Sequence, residues 1–222
     1  MEKAARLTNK RKTVYKRIQA EITEKKSRFI ATVAPVASED EAREFLRAMK
    51  KTYWDARHNV FAYRIGFENE TRRFSDDGEP SGSAGGPVLD VITGENLTDI
   101  AINVTRYFGG VLLGVGGLVR AYGAAAKKAL TTAEIVEKIK YDASIVTVSY
   151  PLAAKVRREA EKNGYVIKNA EYADDVRFEF LSPAGDGHFA SFMADLTGGG
   201  AVIEPTGGAF GFWRGGELII TD

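Results

Sequence analysis

The run VTRYFGGVLLGVGGLVRAYG, from Val104 to Gly123, changes character half-way along. It opens as the end of an apolar stretch, Asp99–Phe108, that reads as a buried strand. It then breaks at Gly109–Gly110 and resumes as a helix starting near Gly116–Gly117. In that helix Leu118, Tyr122, Ala125 and Ala129 share one face, while Arg120 and Lys127 lie on another, seven residues apart. The run holds six glycines, two arginines and two tyrosines, with no acid and no lysine. Strand, glycine-rich loop and helix in succession is also how phosphate cradles are built, so the glycines have to be read one by one.

Neither named phosphate pattern is satisfied. A phosphate loop needs G-x-x-x-x-G-K-[ST], and Gly109 to Gly114 gives the spacing, but Val115 stands where the lysine belongs. The dinucleotide pattern G-x-G-x-x-G is matched by Gly114 and Gly116 and broken by Val119. Two readings remain open. Gly109, Gly110, Gly116 and Gly117 serve close packing and positive φ. Alternatively, the bare amides at the helix start hold an anion, with Arg106 and Arg120 strengthening the site.

Outward from this run, the chain alternates strands and helices. YKRIQAEITEKKSRFIATVAPV reads as two strands around a polar turn at Glu24–Ser27. SEDEAREFLRAMKKT is a helix, with Ser38 and Glu41 placed for a capping box. HNVFAYRIGF and TRRFS are paired strands, and a short helix begins near Pro87. After Ala143 the order becomes strand, helix, two strands, helix, strand, the βαββαβ pattern of an antiparallel sheet with two helices on one side. We therefore expect two α+β domains, 1–140 and 143–222, joined by a short linker at 141–143.

Composition narrows the function. The 222 residues carry a formal net charge of +1, 44% apolar and 27% charged residues, which are ordinary globular proportions. There is no cysteine, so disulfide-linked partners, thiol nucleophiles and cysteine zinc sites are excluded. No apolar run approaches the length of a membrane span, and the charged N-terminus does not resemble a secretory signal, so a cytoplasmic location is expected. The first seventeen residues are the exception to charge balance, with seven Lys or Arg against Glu2. They read as a solvated arm, or as an electrostatic arm for RNA or the ribosome.

Other blocks carry candidate chemistry. DDGEP places Asp76, Asp77 and Glu79 in one loop, and His58 is one of two histidines. Clustered carboxylates bind Mg²⁺ or act as general acid and base; equally, they cap backbone amides in a turn. His58 joins them or is a hydrogen-bonded structural histidine. His188 reads as a surface residue at a helix start. GGAFGFWRGG, 207–216, resembles the aromatic RNA-stacking motif, but Ala209 and Trp213 depart from it and it lies near the C-terminus, so packing is the expectation. No pattern calls for a cofactor or a resident metal.

RYFGGVLLGVGGLVRAY closely resembles the signature of the IMPACT/YigZ family. SRFIATVAPV at 27–36, DARHNVFAYRIG at 55–66, RFSDDGEPSGSAGGPVL at 73–89 and VTRYFGG at 104–110 resemble other blocks of that family, in order. The resemblance covers roughly residues 12–135, and the second half is similar to the smaller domain appended in bacterial members. It implies a first domain like the second domain of ribosomal protein S5 and a ferredoxin-like second domain. It also implies a link to regulation of translation, since eukaryotic members restrain an amino-acid-starvation kinase pathway by binding its activator. Val60, Ser83 and Gly86 depart from the usual Cys, Thr and basic residue, which removes a shared thiol and weakens an anion site at 86. The expected function is a binding protein acting on translation through RNA, the ribosome or a translation-linked protein partner. Its surface would comprise His58, Asp76, Asp77, Glu79, Arg106, Tyr107, Gly109, Gly110, Gly116, Gly117, Arg120 and Lys127. The alternative is a metal-assisted hydrolase using Asp76, Asp77, Glu79 and His58.

Overall fold

Side-chain alternation along three central strands decides the architecture of the first half. In the computed structural model, which describes residues 10–67 and 70–221, β3 (Ser27–Pro35), β4 (His58–Ile65) and β6 (Ile100–Tyr107) lie together in a five-stranded antiparallel sheet. Its order is β2-β3-β6-β4-β5, with β2 (Ile18–Glu24) and β5 (Thr71–Ser75) outermost. Phe29, Ala31, Val33, Val60, Ala62, Ile100, Ile102 and Val104 point to one face. Ala34, Tyr63, Ile65 and Ala101 point to the other. Successive strand residues face opposite sides, so strands apolar at nearly every position require cover on both faces.

Helices supply that cover. The amphipathic α1 (Glu39–Thr52) buries Ala42, Phe45 and Met49 against the second face. On the first face lie α2 (Gly85–Gly94), through Val88 and Ile92, and α3 (Val115–Thr132), through Leu118, Tyr122, Ala125 and Ala129. At the start of α1 the Glu41 N–H donates to Ser38 Oγ at 3.2 Å, as a capping box requires. Glu41 Oε2 accepts from the Ala37 N–H at 2.8 Å, one residue earlier than the box predicts.

The strands of the second half lie in a six-stranded sheet, in the order β11-β10-β7-β9-β8, with β1 (Lys10–Val14) paired to β7 off this path. Here β7 is Ile135–Val148, β8 Val166–Tyr172, β9 Val176–Pro183, β10 Val202–Arg214 and β11 Glu217–Thr221. Helices α4 (Tyr150–Lys162) and α5 (Phe189–Thr197) follow β7 and β9, which completes the expected βαββαβ order. Ala153, Val156, Ala160, Phe189 and Met193 pack on Val146, Val148, Phe178 and Phe180. His188 is exposed at the N-terminus of α5. The described chain divides into two compact units, Arg11–Val136 and Lys10 with Glu137 onward. Among the described residues no helix is long and apolar enough to cross a membrane.

Three expectations are corrected. Residues 141–143 are no linker: they lie inside β7, with Tyr141 and Ala143 buried and paired to β9 and β10. The described part of the basic arm is not free. Residues Lys10–Val14 form β1, Lys10 Nζ lies 3.2 Å from Glu137 Oε2, and the Arg11 guanidinium stacks 5.0 Å from the Phe67 ring. Residues 1–9 of that arm lie outside the described residues. The FGF stretch, near the C-terminus, nevertheless sits on an inner strand, since β10 is paired on both sides by β7 and β11. Phe212 is buried there, as the packing reading requires.

Candidate functional site

One point in the first unit collects most of the motif residues. β6 ends at Arg106 and Tyr107, β4 begins at His58, the loop from Asp76 to Ser83 crosses beside them, and α3 brings Tyr122 from above. Glu79 stands at the centre with its side chain 5% exposed. Its Oε1 accepts from Arg106 Nη1 at 2.6 Å and from the Tyr122 hydroxyl at 2.8 Å. His58 Nε2 lies 3.9 Å from the same oxygen, while His58 Nδ1 is 2.8 Å from the Asp77 carbonyl. A carbonyl only accepts, so His58 Nδ1 carries a proton, and Nε2 is the ring atom turned toward Glu79. Burial, with the Glu79 charge beside it, pushes the Tyr122 phenol far above its ordinary value, so it stays a donor.

The other two acids of the loop are engaged elsewhere. Asp76 Oδ1 accepts from the Ala84 and Gly85 amides at 3.0 and 2.8 Å, and Oδ2 from the Gly82 amide at 2.8 Å. Ala84 has no side chain able to cap α2, so Asp76 caps it from eight residues upstream and sets its charge against the helix dipole. Asp77 Oδ2 accepts from the Asn59 amide at 2.6 Å. The three carboxylates therefore diverge to three sets of donors. Among the described residues there is no cluster of three His, Cys, Asp or Glu able to hold a metal ion.

The glycine question resolves toward packing at the decisive position. A Cβ on Gly109 would lie 2.1 Å from the Lys26 carbonyl carbon and oxygen and 2.4 Å from the Ser27 nitrogen. Only glycine lets this loop pass so close to the β2–β3 turn. Its amide donates to Ser27 Oγ at 3.2 Å, and the same hydroxyl lies 3.5 Å from Arg106 Nη2. Gly110 has φ +84 in open space, and Gly116 and Gly117 lie in the first turn of α3. Tyr107 leaves the cluster altogether and donates its hydroxyl to Asp55 at 2.8 Å. Arg120 and Lys127 are both exposed on α3 but line separate grooves, Arg120 beside Lys25 and Lys127 beside Lys12. The cluster thus unites His58, Glu79, Arg106 and Gly109; it adds Ser27 and Tyr122, and it leaves Arg120 and Lys127 outside. Tyr122 reads from its spacing as a core residue; what that reading misses is its hydroxyl, which needs an acceptor once buried.

With the polar groups turned inward, the loop shows apolar side chains to solvent. Phe108, Val111, Leu112 and Val115 are 43%, 41%, 82% and 58% exposed. Val115, which replaces the phosphate-loop lysine, opens α3.

Comparison with known proteins matches residues 25–130 to the Impact N-terminal domain and residues 146–199 to a domain of unknown function, DUF1949. An IMPACT family member from Bacillus subtilis, YvyE, is 37% identical over 86% of this chain and 89% of its own. The chain belongs to the IMPACT family. YigZ of Escherichia coli, another IMPACT family member, is 33% identical over 79% of this chain and 87% of its own. A crystal structure titled as that of a hypothetical protein superposes with a TM-score of 0.62 at 29% identity, over 89% of this chain and 98% of the other. The blocks of sequence that resemble IMPACT are the ones the fold brings to Glu79: Ser27 from the first, His58 from the second, Asp76–Ser83 from the third and Arg106–Gly110 from the fourth.

Proposed function

We propose that the protein is a binding protein acting in the regulation of translation, docking a ribosome-associated protein through the end of its first unit formed by residues 108–115. One observation carries this reading. The polar residues of the motif are spent inside, on a buried network that braces the loop, and what the loop offers outward is Phe108, Val111, Leu112 and Val115. Exposed apolar side chains on a braced segment are the raw material of a protein interface rather than of phosphate recognition. The resemblance to a family linked with translation supplies the setting. The hydrolase alternative loses support because Asp76, Asp77 and Glu79 bind three different sets of internal donors.

Co-sedimentation with ribosomes from lysate, with and without ribonuclease, tests the proposal. Leu112→Asp alters a side chain that is 82% exposed and should leave the melting temperature unchanged. The expected result is association that Leu112→Asp abolishes. Association unaffected by that change, or none at all, removes the reading. Association through phosphates would instead fall with log salt, by about 0.7 in slope per contact on single strands.

A further inference from the structure

The first unit has a groove on the flank of α3 away from α2, facing β2. Its volume is about 210 Å³, and it opens to solvent. Ile22, Leu113, Ala121 and Ala124 make an apolar floor, and Lys25 and Arg120 stand on its rim with Glu24. Gly117, Ala121 and Ala124 keep this side of α3 low, so backbone can approach it.

The strand beside the groove has an unused edge. β2 is outermost in its sheet, and among the described residues no strand pairs with its free side. Its hairpin with β3 closes through a two-residue turn, Lys25–Lys26, with φ +45 and +67, between the partners Glu24 and Ser27. A turn of this kind is closed by a hydrogen-bonded pair, and bonded and non-bonded pairs alternate from there. Glu24, Ile22 and Ala20 therefore bond to β3, while Gln19, Glu21 and Thr23 turn N–H and C=O outward. An edge of this length beside an apolar groove is a template for strand addition.

We propose that this groove takes an extended peptide from a protein partner, which adds to β2 as a sixth strand. Alternate apolar side chains of the peptide lie on Ile22, Ala121 and Ala124. Acidic side chains sit at the end that meets Lys25 and Arg120, because two cations face one carboxylate there. A helical partner would leave the outward groups of Gln19, Glu21 and Thr23 unpaired; a strand satisfies them. This rests on reading the first unit as a docking module for a protein and narrows the chemistry of its partner.

Random linear peptides displayed on phage, panned on the full chain, test it. Enriched peptides are then measured by fluorescence anisotropy on the wild type and on variants. The expected peptides have apolar residues at every second position and acids gathered at one end. Thr23→Pro removes one outward N–H and no bond to β3, and should weaken binding about fivefold. Thr23→Val keeps that N–H and should stay within about twofold of wild type. Ala124→Glu fills an exposed part of the floor with charge and should weaken binding at least about tenfold. Peptides with helical periodicity, no enrichment, or binding indifferent to Thr23→Pro and Ala124→Glu would overturn the proposal. Ribosome association that depends on Leu112, alongside a failed selection, removes strand addition alone; failure of both removes the docking reading as well.

Discussion

Replacing Glu79 by alanine should be among the most damaging single changes in the first unit. The Glu79 and Arg106 side chains are 5% and 6% exposed, with 2.6 Å between Oε1 and Nη1. Without the carboxylate, Arg106 Nη1 and the Tyr122 hydroxyl lose their acceptor together. Among the described residues Arg106 Nε has no hydrogen-bond partner, so the guanidinium would keep one hydrogen bond, to Ser27 Oγ at 3.5 Å, beside its stacking on the Phe29 and Phe108 rings. Breaking a buried pair from one side costs about 3–5 kcal/mol, because the remaining charge stays buried without its counter-charge. Glu79→Gln keeps an acceptor oxygen and should cost less, about 1.5–3 kcal/mol. The double change Glu79→Leu with Arg106→Leu removes both charges and should cost less than the alanine variant alone, since apolar residues often replace a buried pair without loss. Urea unfolding, with hydrogen exchange followed over residues 11–136, measures all three. A loss below about 1 kcal/mol for Glu79→Ala, or a double variant costing as much as Glu79→Ala or more, would refute the reasoning.

Gly109→Ala should destabilise the first unit and release the Gly109–Ser27 hydrogen bond, because the new Cβ would meet Lys26 backbone at 2.1 Å; faster exchange of the 109 amide is the readout. Glu70 is held down to about 2 by hydrogen bonds from Arg64 and then Arg72. A depressed carboxylate stabilises the fold above its unfolded pKa and loses that contribution as pH falls through the folded value. On the order of 2 kcal/mol should therefore disappear between about pH 4.5 and 2, and Glu70→Gln should flatten the stability curve in that window. Purified protein should show no ATP or GTP turnover with Mg²⁺, since Val115 occupies the lysine position and Gly109 packs on backbone; turnover abolished by a bulky residue at Gly114 would contradict this.

Local signals were legible in the sequence, and distant pairings were not. The 3.6-residue spacing of Ala42, Phe45 and Met49, or of Leu118, Tyr122 and Ala125, is a property of neighbours and marks its helix directly. Asp76, Asp77 and Glu79 share four positions of chain and look like one site. Their partners are the amides of 82, 84 and 85, the amide of 59, and the side chains at 106 and 122. Only the sheet register, which sets His58 opposite Arg106, brings such positions together. The linker expected at 141–143 failed for a related reason. A domain boundary reads as a break in pattern, but Val136, Lys138, Tyr141 and Ala143 are all buried, and β7 carries the chain through without a loop. Arg120 and Lys127 share a helix flank, yet seven residues of rise, about 10 Å, separate them into different grooves.

The inward turn of the motif separates two demands on the same segment. Ser27, His58, Glu79, Arg106 and Tyr122 decide whether the loop after β6 holds its course, because each bonds or abuts another member of the cluster. Phe108, Val111, Leu112 and Val115 stand in solvent, and under the proposed docking they decide what the loop meets. Changes in the first set should therefore move stability and docking together. Changes in the second should move docking alone. A variant such as Tyr122→Phe tests the division from the inside: it deletes one donor to Glu79, about 1 kcal/mol, and leaves the Arg106 bond in place. Its docking should follow its stability, weakening only where the first unit begins to open. Docking lost at full stability would mean that the Tyr122 hydroxyl acts on the partner itself, and the division between brace and display would be wrong.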